Sequence, residues 1–143
     1  MEFKITKECI GVDWQSVSDL LKNAGMAFHE PDVQKKAFKA SYITIFIYYN
    51  DELIGCGRAL SDGAYQAAVY DCAVSPDYQG KGIGKLIITN ILSELSICNV
   101  ILYATPGKEG FYQKYGFRKM QTGMAKFIKN DILIFAANTN SII

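Results

Sequence analysis

Residues 79–85 read Gln-Gly-Lys-Gly-Ile-Gly-Lys, with the apolar run Val69–Val74 before them and the apolar stretch Ile83–Leu95 after them. Gly80, Gly82 and Gly84 bare the backbone where an apolar strand gives way to a helix. The orphan N–H groups of a first helical turn and the positive end of its dipole make an anion site there, suited to a phosphate or pyrophosphate. That chemistry points to a nucleotide-like cofactor. Lys81 and Lys85 either add charge to the site or simply solvate the start of the helix. Two more charges stand inside apolar strands. Asp71 lies beside the loop, where burial would suit it to accept a proton; strand alternation points its side chain opposite to Tyr70 and Cys72, so it either serves the site or caps a loop. Arg58 either binds an acidic group of a ligand or pairs with Asp62 or Asp71, and pairing is the preferred reading.

The elements that would position these residues follow from turn signals and periodicity. Phe3–Thr6 reads as a first strand. Asp13 caps a helix running to about Asn23, with Gly25 as its stop. Pro31 opens a second helix to about Ala40, with Val33, Ala37 and Phe38 on one side. Ile43–Tyr49 and Leu53–Leu60 form a hairpin about Asn50-Asp51, and Tyr65–Val74 follows as a third antiparallel strand after the turn Ser61-Asp62-Gly63. Ile83, Leu86, Ile87, Ile91 and Leu95 recur at helical spacing, widened by Ile88 and Leu92, on a helix apolar enough to be largely buried. Asn99–Thr105 reads as a strand covered on both faces, broken by Pro106-Gly107. Glu109–Tyr115 is a short helix ended by Gly116, and extended chain follows, alternating near Met124–Ile128 and apolar at Ile132–Ala136. This order predicts an α/β (α+β) fold: a mixed sheet with helices on both faces.

Composition narrows the function classes. A chain of 143 residues, half of them hydrophobic and 20% charged, reads as one domain with a real core. A net charge of +1 gives no electrostatic case for nucleic acid or an anionic membrane. No apolar segment reaches the length of a secretory leader or a membrane span, so a cytoplasmic protein is expected. Cys9, Cys56, Cys72 and Cys98 form no CxxC pair, and His29 is the single histidine, so a metal site is not expected and the cysteines read as small buried hydrophobes. There is no repeat or low-complexity linker. Two familiar phosphate loops fail on the letters. Only three residues separate Gly80 from Gly84-Lys85, and Leu86 stands where a Walker A loop needs Ser or Thr. The glycines also spell GxGxG rather than GxGxxG, and they come late in the chain.

Val74-Ser-Pro-Asp-Tyr-Gln-Gly-Lys-Gly-Ile-Gly-Lys85 instead resembles the acetyl-CoA motif of the GNAT N-acetyltransferase superfamily, Gln/Arg-x-x-Gly-x-Gly/Ala, with Gln79, Gly82 and Gly84 in its defined positions. Phe111-Tyr-Gln-Lys-Tyr-Gly-Phe117 is similar to the family's Phe-Tyr-x-x-x-Gly-Phe signature, and the element order matches from end to end. Gly57-Arg-Ala-Leu-Ser-Asp-Gly63 and Tyr70-Asp-Cys-Ala-Val74 look most like the small bacterial and plastid-type arylalkylamine, serotonin-like members. The resemblance implies a mostly antiparallel central sheet and a single domain over residues 1–143. It implies acetyl-CoA as co-substrate, its pyrophosphate on the N–H groups from Gly80 through Lys81, Gly82, Ile83 and Gly84 to Lys85, beside Gln79. Its pantetheine would pair with the main chain of Cys72, Ala73 and Val74 at a splayed strand edge, which usually needs a bulge. Tyr112 falls where the family commonly places a tyrosine near the thioester sulfur; it either donates to the leaving thiolate or packs under its helix. Asp71 is the candidate base. Phe28, His29, Tyr65 and Tyr70 are candidates for an aromatic substrate pocket, or else ordinary core and loop residues. The implied partner is a small primary amine, bound by a monomer or homodimer. The alternatives are a protein lysine or N-terminus as acceptor, and an acyl-CoA-binding module without turnover.

Overall fold

The computed structural model describes residues 2–128. The chain divides into two compact units, the first ending at Leu102 and the second beginning at Tyr103. The apolar run Ile132–Ala136 lies outside the described residues.

The first unit is a five-stranded sheet in the order β1-β2-β3-β4-β5. Its strands are β1 (Lys4–Thr6), β2 (Ile43–Tyr49), β3 (Glu52–Ser61), β4 (Gln66–Val74) and β5 (Asn99–Ile101). The first four pair antiparallel and β5 joins β4 in parallel, the mixed, mostly antiparallel arrangement expected. The β2–β3 turn is built by Asn50 and Asp51, both at positive φ (49° and 63°). These two residue types tolerate the left-handed region that a tight hairpin turn requires.

Alternation assigns the two faces of the sheet. Phe46, Cys56 and Ala73 form a cross-strand row under helices α1 (Trp14–Asn23) and α2 (Pro31–Lys39), where they pack with Val17, Leu20, Leu21 and Phe38. Trp14, Phe38 and Phe46 meet there with ring centroids 5.6–6.1 Å apart. Gly55 and Gly57 lie on the other face, beneath helix α3 (Ile83–Ser93) and its buried Ile83, Ile87, Ile88 and Ile91. A Cβ on Gly57 would stand 2.8 Å from Ile87 and 3.0 Å from Ile91, so glycine is what lets α3 lie this close. Both faces of β2 are covered, which explains a sequence that is apolar apart from Thr44 and the tyrosine hydroxyls at its end.

The helix signals act locally as expected. The Asp13 carboxylate accepts the Gln15 N–H at 3.1 Å, Gly25 follows the end of α1 at φ +91°, and Pro31 opens α2. The apolar face of α2 differs from the expectation: Phe38 and Gln34, four apart, are buried, while Val33 is 48% exposed. The four-residue spacing wins because it follows the helical repeat more closely than the five from Val33 to Phe38.

Strand β5 is also a correction. It spans three residues rather than Asn99–Thr105, and Ile101 is 49% exposed instead of covered on both faces. It pairs only with Gln66, Ala67 and Ala68. Within the first unit, the edge of β4 from Val69 to Val74 on that side therefore has no strand partner. In the second unit, α4 (Glu109–Gln113) ends in a turn in which Gly116 takes φ +91°. Residues 117–128 form no strand, and Met124 and Ile128 are exposed.

Candidate functional site

The centre of the first unit is an irregularity in β4. Cys56 pairs with Ala73 and Arg58 with Tyr70, so Gly57 faces two residues, Asp71 and Cys72. One extra residue in a strand is a β-bulge, and Asp71 absorbs it at φ +54°. A non-glycine residue in that region costs about 1–2 kcal/mol unless its surroundings hold it. Here they do. Arg58 Nε donates to Asp71 Oδ2 at 2.7 Å, and the Cys56 thiol approaches the Asp71 carbonyl at 3.4 Å. The bulge also breaks the alternation expected of Asp71. Its carboxylate and the Tyr70 ring both meet Arg58, whose guanidinium carbon lies 5.4 Å from the Tyr70 centroid and 5.7 Å from that of Phe38. Of the two readings of Arg58, pairing with Asp71 is the one realised, while Asp62 instead accepts the N–H groups of Ala64, Tyr65 and Gln66. Those three bonds lower the Asp62 pKa.

Cys72 turns its sulfur the other way, toward Gly57 and the α3 isoleucines. The residue as a whole is half-buried, but it is the dry surroundings of the sulfur that govern its proton. Burial first, then the nearby Asp71 charge, push the thiol up to about 12, against a hydrogen bond from the Arg58 main chain. Cys56, fully buried, is likewise pushed well above its ordinary value, first by burial and then by Asp71. Both stay neutral at ordinary pH, as buried hydrophobes should. All four cysteines are free.

After Val74 the chain makes a 3₁₀ turn over Pro76–Tyr78, and the Gln79 side-chain amide donates back to the Val74 carbonyl at 3.1 Å. Gln79 thus closes the loop onto the end of β4. Gly80 and Gly82 take φ +78° and +83°, and a Cβ on either would meet only open space. Gly82 is the N-cap of α3, and the first helical bond runs from Leu86 N–H to its carbonyl at 3.1 Å. The N–H groups of Ile83, Gly84 and Lys85 precede that bond and point out of the helix start. No acidic side chain stands in this first turn, and Lys81 and Lys85 are exposed. The loop is therefore an uncapped, glycine-lined helix start that follows directly on an open strand edge.

The pocket candidates come from three places in the first unit. Tyr70 is on β4 beside the bulge. Tyr65 lies just before β4, about 17 Å of strand away from Tyr70, and is 63% exposed. The bulge and Tyr65 are not brought together. Phe28 and His29 occupy the α1–α2 loop, where Lys22 lies 5.8 Å from the Phe28 ring and the Ser18 hydroxyl holds the His29 carbonyl at 2.7 Å. Tyr112 belongs to the second unit, on α4, with its ring packed edge-on against Phe111 and Phe117. Sequence reasoning missed Ser41, which accepts from Arg58 Nη1 at 3.3 Å and donates to Ala37. It also missed Gln34, whose buried amide nitrogen has no partner among the described residues. Neither residue carries a motif. Among the described residues no cluster of His, Cys, Asp and Glu could hold a metal ion, and no helix is long and apolar enough to cross a membrane.

A family model described as "Acetyltransferase (GNAT) domain" matches residues 14–135. The chain belongs to the GNAT acetyltransferase family. The match runs across both compact units of this GNAT family member, through the glycine loop and the Tyr112 segment alike. An uncharacterized N-acetyltransferase, ycf52, of Pyropia yezoensis is 36% identical over 97 residues, covering 63% of this chain and 56% of the relative. A chloroplastic serotonin N-acetyltransferase 2 of rice is 25% identical over 125 residues, covering 80% and 61%. The soybean histone acetyltransferase TAP1 is 39% identical over 75 residues, covering 50% and 32%. The chain spans about half to two-thirds of the length of the ycf52 proteins it resembles. Among solved structures, the GNAT family protein SP0256 of Streptococcus pneumoniae superposes with a TM-score of 0.76 at 26% identity, covering 90% of this chain and 99% of that one. SA2161 of meticillin-resistant Staphylococcus aureus gives 0.81 at 28% identity, with coverage of 90% and 99%.

Proposed function

We propose that this GNAT chain, acting as one domain, moves the acetyl group of acetyl-CoA to the primary amine of a small molecule by direct attack in a ternary complex. The observation that carries this reading is the β4 bulge, with an open strand edge that leads straight into an uncapped helix start. An edge with free main-chain groups suits a ligand bearing two amides, and a glycine-lined helix N-terminus suits its pyrophosphate. Acetyl-CoA supplies both, together with an activated acetyl thioester.

The chain's own residues divide the work. The N–H groups from Gly80 to Lys85 hold the pyrophosphate, with Lys81 and Lys85 adding charge at the rim, while Gln79 keeps the loop closed on Val74. The main chain of Cys72, Ala73 and Val74 lines the pantetheine, and an N–H near Val74 faces the carbonyl oxygen as negative charge grows on it. An alkylammonium, with a pKa near 10, must lose a proton before it attacks. Asp71 takes that proton directly or through a water, with Arg58 holding Oδ2. The Tyr112 hydroxyl gives a proton to the departing thiolate. No metal takes part in this scheme.

Tyr70, with Phe28 and His29, forms the aromatic wall for the acceptor, and the exposed Tyr65 lies outside this group. The rice serotonin N-acetyltransferase favours an arylalkylamine as acceptor. The soybean histone acetyltransferase favours a second reading, a protein lysine. Our reading places the reaction in the cytoplasm, though the chloroplastic relatives fit a plastid equally well.

Free-thiol release from acetyl-CoA, followed across arylalkylamines, polyamines, aminoglycosides and lysine peptides, tests the proposal. Release with one small-amine class supports it, and release with lysine peptides alone moves the assignment to a protein acceptor. Tight acetyl-CoA binding without release from any acceptor would make the chain a binding module.

A further inference from the structure

The bulge in β4 is unfavourable in itself and is held from one direction. Asp71 sits at φ +54°, and the groups that fix it come from Cys56 and Arg58, which flank Gly57 on β3. The Cys56 thiol meets the Asp71 carbonyl at 3.4 Å, and Arg58 Nε grips the Asp71 carboxylate at 2.7 Å. Arg58 is itself clamped. Its guanidinium lies between the rings of Phe38 and Tyr70, and Nη1 donates to Ser41, whose hydroxyl donates on to Ala37 of α2 at 2.8 Å. The side chain is largely buried although it is charged. An arginine with two ring contacts and two hydrogen bonds has little rotational freedom left, so the position it gives Asp71 is well defined.

We propose that Arg58 is a positioning residue for acetyl transfer: by fixing Asp71 against the end of α2, it holds the β4 bulge in the conformation that aims the main-chain groups of Cys72–Val74 along the open edge. It does not touch the reacting atoms. This inference rests on the cofactor reading above. It goes beyond that reading by making acetyl-CoA binding depend on a side chain that makes no contact with the ligand, and by linking the α2 end to the cofactor strand.

Calorimetric titration of acetyl-CoA into the wild-type, Arg58→Met and Arg58→Lys proteins tests the proposal, alongside hydrogen exchange of the β4 amides. Arg58→Met should bind acetyl-CoA on the order of tenfold more weakly, since small losses of alignment are costly in a preorganised site. Amide exchange should quicken at residues 71–74 and not in α3. Arg58→Lys should recover only part of the affinity, because an ammonium cannot reach Asp71 and Ser41 with separate nitrogens. If Arg58→Met does not fold, Arg58→Lys carries the same comparison, with weaker binding and faster exchange at 71–74 still expected. Wild-type affinity with wild-type exchange at 71–74 in either folded variant overturns the proposal alone. A wild-type protein that gives no heat with acetyl-CoA overturns the cofactor reading and takes the proposal with it.

Discussion

Asp71 shows how much a single backbone angle can redirect. At φ +54° it inserts one residue into β4, turns its carboxylate onto Arg58, and leaves Cys72 facing α3. An acidic residue that strict alternation would put on the face opposite Tyr70 thereby shares an arginine with it. Tyr112 is the other residue on which the proposed chemistry turns. Phenylalanine in its place keeps the ring that packs on Phe111 and Phe117 and removes only the hydroxyl. If that hydroxyl protonates the thiolate, Tyr112→Phe lowers kcat by about 100-fold while acetyl-CoA affinity stays at the wild-type value. Steady-state kinetics with calorimetry on the same protein checks this, and an unchanged kcat would remove Tyr112 from the mechanism.

Among the elements, α3 has two tasks with different requirements. In the proposed function its N-terminus must stay uncapped and open to acetyl-CoA, and Gly82 and the absence of a first-turn carboxylate leave it so. Its body must lie close to the sheet, which Gly55 and Gly57 allow. The second requirement is the stricter. A methyl group on Gly57 would meet Ile87 at 2.8 Å, Ile91 at 3.0 Å and the Cys72 sulfur at 3.1 Å. Gly57→Ala should therefore destabilise the protein by about 1–3 kcal/mol through overpacking, read as a lower urea midpoint at unchanged slope. A wild-type midpoint would mean that α3 shifts at little cost. The opposite end of the sheet is looser, because β5 offers only three residues to β4.

For the whole molecule, a net charge of +1 leaves little self-repulsion at neutral pH, and alkaline stability is where buried groups speak. The Cys72 thiol, with an ordinary pKa of 9.0, is pushed up to about 12 in the folded chain, and Cys56 moves the same way. A folded-state pKa above the unfolded one means that the unfolded chain releases its proton first. The stabilising contribution is therefore complete below pH 9 and is lost as the pH climbs toward 12. Urea midpoints at pH 8, 10 and 11 should fall more steeply for the wild type than for Cys72→Ala. Parallel slopes would show that Cys72 titrates alike in both states.

What the sequence determined by itself was whatever depends on near neighbours. Asp13 capping α1, Pro31 opening α2, the Asn50-Asp51 turn and the apolar periodicity of α3 are all set within a few residues, so the element order was legible. The glycine loop was legible for the same reason, since an uncapped helix start is a local property of its own residues. The tertiary structure alone decided the bulge, the choice of Asp71 over Asp62 as the partner of Arg58, and the short reach of β5. Arg58 and Asp71 are 13 residues apart and meet only because β3 and β4 pair in one particular register. Register is settled by how the two sheet faces bury their side chains against α1, α2 and α3 together. No stretch of sequence contains that information on its own, because it is a balance among elements that lie far apart in the chain.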